Sequence, residues 1–361
     1  MGIEMDSYLD FPNLGARVYP RHVPDGLGEE LPGLYNTLLS TVEAFEIEDG
    51  VVPAGACILR QPRHVLLFYH DGDTVEILNK EFAIAPADAT RACRALFHAF
   101  PRSRRIHLEV MFPPTELRLP KRVLYWADHM VIDLPATSEA YTASLGRRTR
   151  RHLRHDERRL RRDHDRITIE TISPVGEAEK LVATFVSWKN RRFNEAGRTT
   201  LWQEKPESAG RLTELVRRCG QARVMSIDGE QAAIHFLFPV GTSVYVLQAG
   251  FDPQYLPYNL GLYGTYSVAC EATAQGYQRL SLLWGTDDTK RHLGAKPRRA
   301  VRLSVFRSPT ARFSSLDEAK EVAMRNLRRN GQHEYWRARH AGGRALRGLR
   351  ARAMEVARNG D

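Results

Sequence analysis

SVYVLQAGFD (Ser243–Asp252), PQYLPYNLG (Pro253–Gly261), LYGTYSVACEATAQGY (Leu262–Tyr277) and RLSLLW (Arg279–Trp284) decide how this chain folds. They read as an apolar strand, a loop rich in proline and glycine, a helix and a second apolar strand. The segment closes on Gly285-Thr286-Asp287-Asp288-Thr289-Lys290. A helix that starts directly after a strand and loop leaves its first amides without intrahelical partners. Its dipole favours negative charge there, so the arrangement suits an anionic group.

Upstream, Arg223 to Ile227 reads as a strand, Asp228-Gly229 as a hairpin turn and Gln231 to Phe238 as the next strand. Pro239-Val240-Gly241 turns the chain into Ser243. The first half repeats this order. Gly55–Leu59, His64–Tyr69 and Thr74–Asn79 are expected strands, Pro86 to Phe100 a helix, and Arg105–Met111 and Arg122–Leu134 strands. The first copy has only Ala83-Ile84-Ala85-Pro86 at its helix start, so it reads as structural or as a wall of an acceptor pocket. A further helix is expected over Pro32–Glu46, and Met1 to Glu30 reads as irregular. Asp133-Leu134-Pro135 marks a boundary, after which Ser138 is the expected cap of a helix running on through an arginine-rich stretch.

These features resemble the tandem-GNAT transferases, a group that includes the BioF2-like acetyltransferase domain and the Fem-type aminoacyl-tRNA-dependent transferases. The resemblance is carried by SLGRRTRRHLRHDERRL (Ser144–Leu160), the DGEQAA hairpin, AGFDPQY, PYNLGLYG, and Gly285 with Lys290 five residues on, over Tyr141 to about Arg299. It implies an α/β fold of two tandem GNAT-like domains, each a mixed, mostly antiparallel sheet flanked by helices. The expected spans are 1–135 for the N-terminal domain, 136–310 for the domain with the donor site, and 311–361 for a basic helical extension.

Charge is concentrated. The 361-residue chain has a formal net charge of +10. Leu145 to Arg162 carries nine arginines against Asp156 and Glu157, with Leu145, Leu153 and Leu160 as a thin apolar stripe. Arg325 to Asp361 carries ten arginines against three acidic residues. Two such patches point to a polyanionic partner; the alternative is a pair of solvated helix faces. The phosphate-contact candidates are Arg147, Arg148, Arg150, Arg151, Arg154, Arg158, Arg347 and Arg350, since guanidinium groups pair bidentately with phosphate. A basic amphipathic tail also suits an anionic membrane surface. No uninterrupted apolar run approaches ~18 residues, so no transmembrane helix is expected. The acidic start MGIEMDSYLDFPNLG lacks a secretory pattern, and the expectation is a cytoplasmic protein. Cys57, Cys93, Cys219 and Cys270 are widely spaced, which indicates neither a metal site nor a disulfide framework.

Acyl transfer from an activated ester or thioester requires positioning, oxyanion stabilisation and a proton acceptor. No GxSxG or Cys-His signature is present. By the resemblance, Lys290 holds a phosphate or the oxyanion; otherwise it is a surface lysine beside Asp287 and Asp288. His235 is best matched by pKa to base chemistry, against the alternative of a core histidine. Asp252 is either a proton acceptor or the cap of the loop before Pro253. The donor-binding candidates are Gln248, Tyr258, Asn259, Gly261 and Gly264. The family's coenzyme A loop places Gln or Arg where this chain has Tyr258, and a small residue where it has Tyr263. Trp188, Arg192 and Tyr245 are candidates for the acceptor pocket, with core packing the alternative for Trp188. No tightly bound cofactor and no metal are expected. The arginine patches favour aminoacyl-tRNA as donor, with acyl-CoA the rival. The acceptor is a small-molecule or peptide amine. A third reading is a non-catalytic RNA- or membrane-binding protein on this scaffold.

Overall fold

The computed structural model describes residues 7–285 and 287–314. The first half contains β1 (Leu9–Phe11), β2 (Ala16–Tyr19), α1 (Leu27–Tyr35), α2 (Val42–Ile47), β3 (Gly55–Leu59), β4 (His64–Asp71), β5 (Thr74–Ile77), α3 (Pro86–Ala99), β6 (Arg105–Val110) and β7 (Lys121–Asp133). The second contains α4 (Ser138–Ser144), α5 (Arg147–Asp163), β8 (Ile167–Ile172), α6 (Ala178–Glu195), α7 (Leu201–Glu204), α8 (Glu207–Cys219), β9 (Gln221–Ile227), β10 (Glu230–Val240), β11 (Ser243–Phe251), α9 (Leu260–Ala274), β12 (Arg279–Trp284), α10 (Asp288–His292) and β13 (Lys296–Phe306). The fold is the expected mixed α/β architecture, with a mostly antiparallel sheet flanked by helices.

Among the described residues the strands form one sheet in the order β1-β2-β3-β4-β5-β6-β13-β7-β12-β11-β10-β9-β8. The strands that close the two repeats are exchanged. β13 follows the second repeat but pairs with β6 of the first, while β7 follows the first repeat and pairs with β12 of the second. β13 and β7 also pair with each other, which joins the repeats through their longest shared ladder. Among the described residues the only parallel ladders are β5–β6 and β11–β12, where a helix makes the crossover that parallel strands require. One apolar core lies within the first repeat and includes Val301, Leu303 and Val305 of β13. In the second repeat, Phe185, Leu215 and Phe236 pack under α6 and α8, while Leu153, Val246 and Val268 pack under α5 and α9. The compact unit ends at Arg307. From Ser308 the chain forms a second unit, of which α11 (Pro309–Ser314) is described. The expected extension beyond 314, with Arg347 and Arg350, lies outside the described residues.

Several expected elements are divided differently. The helix expected over Pro32–Glu46 is two helices. α1 stops where Asn36 turns left-handed at φ 53°, and α2 restarts with the Thr41 hydroxyl accepting from the Ala44 amide at 3.3 Å. The Asn36 side chain accepts from the Thr242 amide at 2.7 Å, and a Cβ on Gly241 would sit 2.1 Å from the same oxygen. The β10–β11 turn therefore needs glycine there. The helix entering the arginine run is broken at Leu145-Gly146, both extended, because Leu145 is drawn into the core. Thr137 rather than Ser138 caps α4, accepting from Ala140 N at 3.1 Å; the Ser138 hydroxyl donates to the Cys270 carbonyl at 2.8 Å. The stretch before Glu30, expected irregular, supplies β1 and β2.

Candidate functional site

β11 and β12 pair in parallel only from Ser243–Arg279 to Tyr245–Ser281 and then separate. β12 turns toward β7, where Trp284 lies opposite His129. Leu247 is the extra residue of a bulge in β11, between the pairs Phe236–Gln248 and Leu237–Val246. A bulge bends the strand and re-aims its groups. Past Tyr245, the edge of β11 facing β12 has no strand partner among the described residues.

α6 closes in over β11 because residue 250 is glycine: a Cβ there would lie 2.7 Å from Phe185 Cδ2. One turn on, Lys189 stands with its ammonium 5.5 Å from the Phe185 ring centroid. Burial, with Arg192 close by, pushes it down to about 8. Lys189 was not singled out from the sequence, although it continues the Leu181, Phe185 line at helical spacing. Arg192 is exposed and covers the Phe251 ring at 5.1 Å. Gln248 is half-buried on the splayed part of β11. Trp188 is 6% exposed and belongs to the core under α6. Tyr245 is buried; its hydroxyl lies 3.5 Å from the Asn36 carbonyl, and burial pushes it up to about 12.

Asp252 is occupied. Its carboxylate accepts from the Gln254 amide at 2.9 Å, capping the helical turn Pro253–Tyr258, and pairs with Arg191. That is the capping role. His235 is 3% exposed, with Nε2 3.3 Å from Thr265 Oγ1. Its ring fills the space a side chain on Gly264 would need, since a Cβ there would lie 2.3 Å from Cε1. Burial first, then Arg223 and Lys189, holds the imidazole down at about 3, so it stays neutral. Such a ring has little tendency to take a proton near neutrality, and its surroundings are those of a core histidine.

The donor loop is covered by α5. Arg159 Nη1 donates to the Pro257 carbonyl at 3.2 Å, and its guanidinium lies 5.2 Å from the Tyr258 ring. The Tyr258 hydroxyl donates to Asp163 at 3.3 Å, and Asn259 Nδ2 lies 3.4 Å from Asp156 Oδ2. Asn259 takes φ 52° to start α9, and its carbonyl accepts from Leu262 N and Tyr263 N. Gly261 and Gly264 face the sheet: a Cβ on Gly261 would meet Phe251 Cε1 at 3.3 Å. Both glycines let α9 pack closely, as glycines in helix–sheet contacts do. On α5 the packing face is Thr149, Leu153 and Leu160, while Arg147, Arg148, Arg151, Arg154 and Arg158 are exposed. Those five have no carboxylate partner among the described residues. Arg150 is half-buried and donates to the Ala143 carbonyl at 2.6 Å.

Lys290 folds back onto the end of β12. Asp287 caps α10 by accepting from Lys290 N at 2.9 Å, and Lys290 Nζ donates to the Trp284 carbonyl at 2.6 Å. Burial holds its ammonium below the usual lysine range, against the pull of Asp287. Asp288 lies 3.8 Å from Arg291 instead. The structure thus sets Gln248 on the part of β11 that has left β12 and Lys290 against the end of β12, with Arg192 beside Phe251 at the far end of β11. It keeps His235, Trp188 and Tyr245 in packed surroundings.

Residues 147–291 match the family model for the acetyltransferase (GNAT) domain. The solved structure of FemX is similar over 81% of this chain and 98% of its own, at 10% identity and a TM-score of 0.56. A tandem GNAT protein from the clavulanic acid biosynthesis pathway matches 81% of this chain and 99% of its own, at 9% identity and a TM-score of 0.39. The C-terminal domain of a putative lysylphosphatidylglycerol synthetase from Agrobacterium fabrum covers 71% and 84%, at 13% identity and a TM-score of 0.44. A search of curated proteins finds no significant match. The splayed sheet and the matched domain define an acyltransferase. More particularly, residues 147–291 match the GNAT domain and the chain is similar in fold to FemX.

Proposed function

We propose that this acyltransferase forms an amide bond by passing an aminoacyl group from an aminoacyl-tRNA to an amine. The observation that carries this reading is α5. One helix covers the donor loop, setting Asp156 beside Asn259, and turns outward five arginines with no carboxylate partner among the described residues. A carboxylate beside the start of α9 disfavours a pyrophosphate there, because like charges repel where the helix end would otherwise attract an anion. An outward row of arginines suits the backbone of a structured RNA, recognised by shape and phosphate contact. The Fem-type resemblance points the same way.

In this reading the aminoacyl ester lies in the splay beside Gln248, and the Lys290 ammonium faces the oxyanion that forms when the amine attacks. Supporting this, Lys290 Nζ is held by the Trp284 carbonyl at the end of β12. Among the described residues no helix is long and apolar enough to cross a membrane. A second reading, an acyl-CoA-dependent N-acyltransferase, is favoured by the extent of the GNAT match, which includes the whole donor loop.

Titration with bulk tRNA and, separately, acetyl-CoA at low and moderate salt distinguishes the two. The expected result is tRNA binding that weakens steeply with salt, and no saturable coenzyme A binding. In the variant Arg151→Glu, Arg154→Glu, Arg158→Glu the log–log salt slope falls by about 1 for each lost phosphate contact. Coenzyme A binding that survives moderate salt, with tRNA affinity unchanged in the variant, replaces the first reading with the second.

A further inference from the structure

Between the repeats, over the middle of the sheet, lies a cavity of about 330 Å³. Leu39 and Ala44 of the first repeat and Leu215 of α8 cover it. Its other walls are Glu109 of β6, Tyr125 of β7, Leu247 at the β11 bulge and Trp284 at the end of β12. The cavity therefore touches the splay at two points. One is the bulged residue. The other is Trp284, whose backbone carbonyl holds Lys290.

Its lining is acidic. Glu48, Asp49 and Glu109 face it with Lys80, and Lys80 Nζ is engaged by both Asp49 oxygens at 2.6 and 2.7 Å. Glu109 is 6% exposed, and its Oε2 accepts from the Tyr125 hydroxyl at 3.0 Å. Burial, and then the Glu81 carboxylate, push the Glu109 carboxyl above the usual range. Lys80 and Arg302 both act on it, and each is also paired with another carboxylate, Asp49 and Glu76. A buried carboxylate is costly without a counter-charge of its own; the two cations acting on this one are shared, and it lines the cavity.

The Trp284 wall is fixed at an energetic cost. Its indole donates to Glu81 Oε1 at 3.2 Å, and the His129 ring meets it edge-on at 5.2 Å. His129 and Glu81 are each buried and in contact. Glu81 and Leu283 both hold left-handed backbone, at φ 54° and 55°. Non-glycine residues in that region cost about 1–3 kcal/mol each and gather where geometry serves function. An aromatic wall facing carboxylates is the chemistry that receives an ammonium group.

We propose that this cavity receives the acceptor as a primary ammonium, with Glu109 holding its charge and accepting its proton. The proposal rests on the reading of the protein as an amide-forming acyltransferase, but not on which donor it uses. The amine nitrogen bonds to the donor's acyl carbon, and the bond from that carbon to the leaving oxygen or sulfur breaks. The ammonium gives up two protons in all. One goes to Glu109 before attack and is then released to solvent; the other goes to the leaving group. The volume lies near the lower end for ligand pockets, about 300–1,000 Å³, and suits an acceptor arm of amino-acid size.

The test uses the full chain without any donor. Binding of n-hexylamine and of 1-hexanol is measured by calorimetry, with tryptophan fluorescence as a second signal. Hexylamine should bind saturably and at least about tenfold more tightly than hexanol. Glu109→Gln should weaken the amine about tenfold and leave the alcohol unchanged. Equal affinity for the two, no saturable amine binding, or a folded Glu109→Gln chain that binds the amine as before would each overturn the proposal. The amine–alcohol comparison is made on the wild-type chain, so it decides the matter even if the variant does not fold. Because no donor is present, failure here leaves the tRNA reading standing, and failure of tRNA binding leaves the cavity standing.

Discussion

The two repeats separate their strands at the same point and then treat the gap differently. In the first, β5 and β6 pair over Thr74–Glu76 and part, but Phe82 crosses the opening to bridge Val110. Phe82 is wholly buried and meets Tyr35 edge-on at 5.2 Å. In the second, β11 and β12 pair over Ser243–Tyr245 and part without such a bridge among the described residues. The bulge at Leu247, half-buried Gln248 and Lys290 stand there instead. A splay is thus a feature of the fold and not yet a site. Closed again by a backbone bridge it becomes part of the core; left open beside polar groups it can take a substrate.

The strongest challenge to this contrast is a pair of truncations. Phe82→Ala should cost about 3–5 kcal/mol in urea unfolding, as for other buried aromatics. Gln248→Ala, at the corresponding open edge, should stay within about 0.5 kcal/mol. Equal costs would mean that the second gap is as tightly built as the first. Next in size is Lys290→Ala. If Lys290 faces the oxyanion, kcat should fall about 100-fold while the melting temperature holds, because the residue is half-buried at an edge. An unchanged kcat removes Lys290 from the open site.

The effect that is smallest per step of its measurement concerns the face behind the splay. His235 has a folded pKa of about 3 against an ordinary 6.5. The unfolded chain takes up the proton first, so the full contribution is present above 6.5 and is lost as pH falls toward 3. Relative to His235→Asn, the wild-type chain should lose about 1.4 kcal/mol for each pH unit in that window. A difference that stays flat with pH would show the ring to be open to water and return it to the list of proton acceptors.

Much of the fold was legible because its signals are local. The alternation in Ser243–Phe251, the Asp228-Gly229 turn and the apolar face of α6 each depend on neighbours only a few residues away. Helix limits were less so, because Leu145 breaks the arginine-rich helix to reach a core built from distant strands. The candidate site divided in the same way. The position of Lys290 just past β12 follows from where that strand ends. His235 could not be assigned to core or cleft until Gly264, 29 residues on, was found against its ring.

The sequence alone determined the repeat, the basic character of α5 and the strand–loop–helix–strand unit matched as a GNAT domain. Only the tertiary structure decided that β7 and β13 change places, and so that Glu109 of one repeat and Trp284 of the other line a single cavity. The physical reason is that strand pairing is chosen by backbone hydrogen bonds and buried area across the whole sheet. Residues 175 positions apart carry no local mark of that choice.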